Sequence, residues 1–160
     1  MEYRTIEMRD KKHIALVAHD NKKKELLEWV EFNINVLAEH ILYATGTTGT
    51  MLETLALEVI KLQSGPLGGD QQIGAMIADG IVEMVIFFVD PLESHPHATD
   101  IQSLVRLAAV WNIPIACTRA AADFMISSSL MNEKYKRLVP DYEEYKNRLT
   151  APDEPRATTD

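Results

Sequence analysis

The chain has 160 residues and a mass of 18.0 kDa, with 46% hydrophobic and 25% charged residues, the proportions of one soluble globular domain. Its formal net charge of −8 argues against nucleic acid, which needs a basic surface, so any phosphate site must be built locally from N–H groups, hydroxyls and a few placed cations. No apolar run is long enough to span a bilayer, Met1-Glu2-Tyr3-Arg4-Thr5 lacks the apolar stretch of a secretory signal, and the single cysteine, Cys117, has no internal disulfide partner. A cytoplasmic protein is expected.

Up to about Lys11 the sequence carries no clear pattern. Beyond it, five short apolar runs have the length and branched content of strands buried on both faces: His13–Ala18, Ile41–Ala44, Val59–Leu62, Val82–Val89 and Ile113–Cys117. Amphipathic stretches near Lys22–Phe32, Thr50–Leu57, Gln71–Asp79, Asp100–Trp111 and Ala121–Ser128 alternate with them as predicted helices. In Asp100–Trp111, Ile101, Leu104, Val105, Ala108 and Trp111 share one face while Gln102 and Arg106 point elsewhere. Strand and helix in alternation predict a parallel sheet covered by helices on both sides. The tail Thr150–Asp160 has no apolar residue larger than alanine, so residues 1–149 are expected to form the domain and residues 150–160 a disordered tail.

Parallel sheets of this kind bind ligands at the carboxyl ends of their strands. Each polar or glycine-rich cluster here directly follows a predicted strand: His19-Asp20, Thr45-Gly46-Thr47-Thr48-Gly49, Ser64-Gly65-Pro66-Leu67-Gly68-Gly69-Asp70, and Asp90-Pro91 through His97 and Asp100. Four turns therefore share one rim.

Thr45–Gly49 joins a strand to a helix start, where glycines allow close approach, hydroxyls donate and the helix dipole favours an anion. It lacks the Gly-Lys-[Ser/Thr] ending of a P-loop, and a plain turn with a threonine N-cap is the alternative. Lys22-Lys23-Lys24 sets three cations against the dipole of the first helical turn. A bound anion would relieve this for one lysine; otherwise all three face solvent with Asp20 as the cap. Spacing does not choose among them.

Asp70 reads either as the N-cap of the next helix or as a base toward carbon, a role that requires a dry site or a neighbouring carboxylate such as Asp90 or Asp100. His95-Pro96-His97 with Asp90 and Asp100 does not match common zinc spacings, so no metal is expected there; an acid–base histidine is the better functional reading, though this loop alone favours plain surface histidines. His19-Asp20 reads as a substrate contact or as a cap, and Cys117, Trp29 and Trp111 as core.

His13-Ile-Ala-Leu-Val-Ala-His19-Asp20, Leu42-Tyr-Ala-Thr-Gly-Thr-Thr-Gly49 and Gln63-Ser-Gly-Pro-Leu-Gly-Gly-Asp-Gln-Gln72 closely resemble the methylglyoxal synthase family. Asp90-Pro91-Leu92, Pro96-His97, Asp100 and Trp111-Asn-Ile-Pro114 continue the match, which runs over about residues 12–148. The resemblance implies a three-layer, doubly wound, Rossmann-like α/β fold on a parallel five-stranded sheet in a single domain, assembled as a homohexamer. It implies a cofactor-free lyase that converts dihydroxyacetone phosphate to methylglyoxal and inorganic phosphate through an enediolate, with phosphate also an inhibitor.

Carried over by position, His19, Lys23, Thr45, Gly46, Thr47, Thr48, Ser64 and Gly65 would bind the substrate, most of them around its phosphate. Asp70 would be the base, and His97, which also contacts substrate, would handle protons with Asp100. Ala98 departs from the acidic residue common after that histidine, as does Ala116-Cys117-Thr118 from the family's usual run after the fifth strand. Two rivals are a regulatory module like that of carbamoyl phosphate synthetase and a metal-dependent phosphatase using Asp90, His95, His97 and Asp100.

Overall fold

The computed structural model describes residues 2–92, 98–143, 145 and 147. In chain order its elements are β1 (Tyr3–Met8), β2 (His13–Ala18), α1 (Lys23–Phe32), α2 (Ile34–Leu37), β3 (Ile41–Ala44), α3 (Gly46–Glu53), β4 (Val59–Lys61) and α4 (Gly69–Ala78). These are followed by β5 (Met84–Phe88), α5 (Ala98–Val110), β6 (Ile115–Ala116), α6 (Arg119–Ile126) and β7 (Tyr135–Pro140). The five predicted strands pair in parallel in the order β4-β3-β2-β5-β6, with Ile14 of β2 level with Leu42 on one side and Met84 on the other.

Alternation along the central strands divides the core between two faces. Ile14, Leu16 and Ala18 of β2 and Met84, Ile86 and Phe88 of β5 pack with Leu26, Trp29, Leu52 and Ala122 from α1, α3 and α6. Ala15, Val17, Val85 and Phe87 point the other way, against Ile73 and Ile77 of α4 and Leu104 and Ala108 of α5. Each such Ile, Leu or Val side chain contributes about 1.5–3 kcal/mol by leaving water. Trp29 also gives its indole N–H to Asp123 Oδ1 at 2.8 Å, fastening α1 to α6.

The chain winds outward from β2 through β3 to β4, then returns to place β5 on the other side of β2. That reversal opens a crevice at the carboxyl ends of β2 and β5, the usual ligand position in such sheets.

Two expectations are corrected. Residues before Lys11 are not featureless: β1 pairs antiparallel with β7, Tyr3 opposite Pro140 through Met8 opposite Tyr135. The ribbon is fixed from outside its own strands, with the Asn112 side-chain amide donating to Leu138 O at 2.9 Å and the Arg137 guanidinium donating to Trp111 O. The helix predicted over Thr50–Leu57 runs instead from Gly46 to Glu53, opened by the Gly49 N–H donating to Thr45 O at 2.8 Å, and Gly49 packs against Lys61 so closely that a Cβ would lie 2.6 Å from Cγ of that side chain. The glycines that read as a loop are the helix's contact face with β4.

Candidate active site

A cleft of about 260 Å³ opens at the carboxyl rim of the sheet. It falls below the ~300–1,000 Å³ of pockets for drug-sized ligands, which leaves room for a small molecule only. Seven of the expected site residues line it together: His19, Lys23, Thr45, Thr47, Ser64, Gly65 and Asp70. Asp20 and Pro66 complete its rim, and Val17 and Phe87 supply an apolar wall. Among the described lining residues one lysine faces two aspartates, so an anion must be held chiefly by hydroxyls and backbone dipoles rather than by net charge.

Thr45 stands at the N-cap position of α3 without using its side chain as a cap, which removes the plain-cap alternative for its hydroxyl. Thr47 and Thr48 lie in the first turn, whose N–H groups have no partner within the helix. Thr47 reaches the cleft; Thr48 is 2% exposed, and its hydroxyl is buried without a hydrogen-bond partner among the described residues. Gly46 lies behind the lining, its N–H donating to Gln63 O at 3.1 Å.

The structure separates the three lysines that spacing leaves equivalent. Lys22 pairs with Glu25 at 3.0 Å, Lys24 is exposed, and Lys23 turns into the cleft while pairing with Asp20. Asp20 does not cap α1. It lies in a short 3-10 turn ahead of that helix, and its carboxylate meets the Lys23 ammonium instead.

Asp70 is not the N-cap of α4 either. That position belongs to Gly68, whose φ of +101° favours glycine, and Asp70 is the second residue of the helix. Its side chain is carried inward, the residue only 2% exposed and lining the cleft. The preceding turn is drawn tight by the Leu67 and Gly69 N–H groups, which donate to Ser64 O at 2.9 and 3.0 Å.

His19 is held across the switch point: the Asp90 backbone N–H donates to its Nδ1 at 2.8 Å, and its ring meets Phe87 edge-on at 5.0 Å. With Nδ1 accepting, the neutral ring carries its proton on Nε2 and can donate there. Asp90 fixes this loop with both oxygens, accepting from Leu92 N–H and from the Asn21 side-chain amide, each at 3.1 Å. His95 and His97 lie outside the described residues, and of Asp100 only its place in the first turn of α5 is described. Cys117 is a free, half-buried thiol whose pKa is pushed up by burial, in keeping with a core role.

Sequence reading missed Phe87 and Val17 as cleft wall and Gln72 as a contact to the loop after β4, where its Oε1 accepts the Gln63 N–H at 2.7 Å. Nothing in the apolar strands marks which residue ends at the cleft. The Gln72 contact joins residues nine apart, a pairing no local pattern signals.

Residues 25–117 match the family model described as MGS-like domain. The chain is 57% identical over 136 residues to a methylglyoxal synthase of Pseudoalteromonas translucida, covering 84% of this chain and 88% of that one. It is 51% identical over 149 residues to a methylglyoxal synthase of Cellvibrio japonicus, covering 92% and 97% respectively. The crystal structure of methylglyoxal synthase from Elizabethkingia anophelis superposes with a TM-score of 0.87 at 47% identity, covering 96% of this chain and 100% of that one. Likeness of this degree over most of the chain, in sequence and fold together, makes it a member of the methylglyoxal synthase family.

Proposed function

We infer that this chain is a lyase that converts dihydroxyacetone phosphate into methylglyoxal and inorganic phosphate. The observation that carries the reading is the meeting, in one small cleft, of a buried aspartate and a phosphate-type cradle built from a helix start, a glycine turn and one lysine. The phosphate would sit among Lys23, Thr45, Gly46, Thr47, Thr48, Ser64 and Gly65. Asp70 would take a proton from the hydroxymethyl carbon, C3, leaving an enediolate across C2 and C3. His19, with Nε2–H as donor, and His97 would meet the oxygen charge, and Asp100 would assist His97 in proton transfer. The C3 hydroxyl then gives its proton to the departing phosphate and becomes the aldehyde, the C2–C3 π pair moves to C1–C2, and phosphate leaves with the C1–O bonding pair. Protonation of the resulting enolate at C1 gives methylglyoxal.

The reading needs no metal or organic cofactor, because proton transfer and anion binding account for every step. Purified protein incubated with dihydroxyacetone phosphate and excess chelator is expected to release methylglyoxal. A failure that added zinc, magnesium or manganese restores would overturn metal independence, and no product under either condition would overturn the activity.

Lys23→Ala is expected to weaken inorganic phosphate, a product and inhibitor, by loss of one charge-assisted contact of about 1.5–3 kcal/mol. Inhibition by phosphate measured against wild type checks this, and an unchanged affinity would take Lys23 out of the cradle. The expected assembly is a homohexamer in the cytoplasm; a monomer mass by light scattering at working concentration would refute the assembly. No described helix is long and apolar enough to cross a membrane.

A further inference from the structure

Three segments of the cleft meet at the main chain of one residue, Gln63. Its carbonyl accepts the N–H of Gly46, at the start of α3. That same oxygen lies so near Gly69, at the start of α4, that a Cβ there would be 2.1 Å away. Its N–H points to α4, where Oε1 of Gln72 receives it at 2.7 Å. Ser64 and Gly65 follow directly. Among these contacts the one from Gln72 is made by a side chain; the others are backbone to backbone, and the approach of Gly69 needs only the absence of a Cβ there.

We propose that Gln72 is a positioning residue for phosphate departure, holding the Ser64–Gly65 turn and the start of α3 in register with the helix that carries Asp70. The inference rests on the reaction assigned above. Its two steps make different demands on geometry. Removal of the C3 proton is a demand on distance, the Asp70 carboxylate against the hydroxymethyl carbon at the end of the substrate away from the phosphate. Departure of phosphate needs the C1–O bond parallel to the π orbitals of the enediolate, and that angle depends on where the phosphate is held relative to the carbon skeleton. Gln72 is two residues beyond Asp70 on the same helix, and its side chain spans from the base's element to the cradle's. With the strut lost, the enediolate still forms, but it takes its proton back at C3 more often than it expels phosphate.

The test compares Gln72→Met, similar in length without the acceptor, with Gln72→Glu, which keeps an oxygen able to receive the Gln63 N–H. Reactions run in deuterium oxide give two quantities from one sample: deuterium at C3 of recovered dihydroxyacetone phosphate, and methylglyoxal released. The expected result for Gln72→Met is a rise of at least about tenfold in the ratio of deuterium return to methylglyoxal, within the range that small misplacements cost. Gln72→Glu is expected to bring the ratio most of the way back. A ratio in Gln72→Met equal to wild type overturns the proposal, as does a Gln72→Glu ratio no better than that of Met. Partial unfolding lowers both quantities together and leaves the ratio unchanged, so a merely structural role gives the overturning result. If wild-type protein itself releases no methylglyoxal, the reaction reading fails; if it does and the ratio holds, the strut alone fails.

Discussion

Asp70→Asn is expected to lose at least ~10²–10⁴-fold in turnover of dihydroxyacetone phosphate, the usual cost of removing a positioned general base. Asparagine matches the size of the carboxylate but cannot accept the C3 proton. The fold has little reason to suffer. Gly68 sits at the N-cap of α4, so no cap is lost, and the charge removed from the first helical turn is worth up to ~2 kcal/mol in a buried setting. Inorganic phosphate is expected to bind the variant, because the proposed cradle lies on the turns after β2, β3 and β4 rather than on the Asp70 side chain. The direct measurement is entry of solvent deuterium at C3, which reads proton removal without requiring phosphate to leave. Exchange near the wild-type rate in a folded variant would take Asp70 out of the mechanism. The base would then be sought at Asp100, since both carboxylate oxygens of Asp90 already accept hydrogen bonds that fix its loop.

The centre of the sheet was legible because β2 and β5 are buried on both faces: His13–Ala18 and Met84–Phe88 present apolar residues without a polar alternation to confuse them, whereas β4, expected to be buried likewise, is an edge strand with Ile60 and Lys61 exposed. The clusters on the rim were legible for a related reason. A strand that ends at a ligand site must stop in residues that turn and donate, and those residue types stand out after an apolar run. β1 and β7 were not legible, since along Tyr3–Met8 only Met8 is buried, too few inward residues to display a period. The capping alternative is excluded at Asp20 and Asp70 for one physical reason. Aspartate before a helix is a cap on local preference, but here a short 3-10 turn in one case and a left-handed glycine in the other shift the helix start by a residue or two. Each shift turns a carboxylate from backbone toward the cleft. Spacing left Lys23 level with its neighbours and the family resemblance alone chose it; the structure sets it apart, with Lys22 paired to Glu25 one turn on and Lys24 exposed.

Gly69→Ala is expected to damage the site more than any other glycine-to-alanine change on the rim. The obstacle is space, not conformation: the new Cβ would lie 2.1 Å from Gln63 O and 3.0 Å from the carbonyl carbons of Gln63 and Ser64. These are backbone atoms, so no rotamer change relieves the contact, and the turn before α4 must move away from the helix. Doing so strains the hydrogen bonds from Gly69 N–H to Ser64 O, from Gln63 N–H to Gln72, and from Gly46 N–H to Gln63 O. Overpacking of this kind costs about 1–3 kcal/mol of stability, and a displacement of ~1 Å between base and phosphate is enough for ~10²-fold in rate. Gly80→Ala is the matched control. Gly80 has φ of +70°, and a Cβ there would meet nothing within 4 Å, so alanine costs the ~1–2 kcal/mol of a left-handed residue without touching the cleft. Thermal unfolding and methylglyoxal release measured on both variants separate the two effects. Comparable losses of stability with turnover reduced only in Gly69→Ala are the expected outcome. Equal turnover in the two variants would mean that the close approach of Gly69 to Gln63 serves packing alone and does not set the distance between Asp70 and the phosphate cradle.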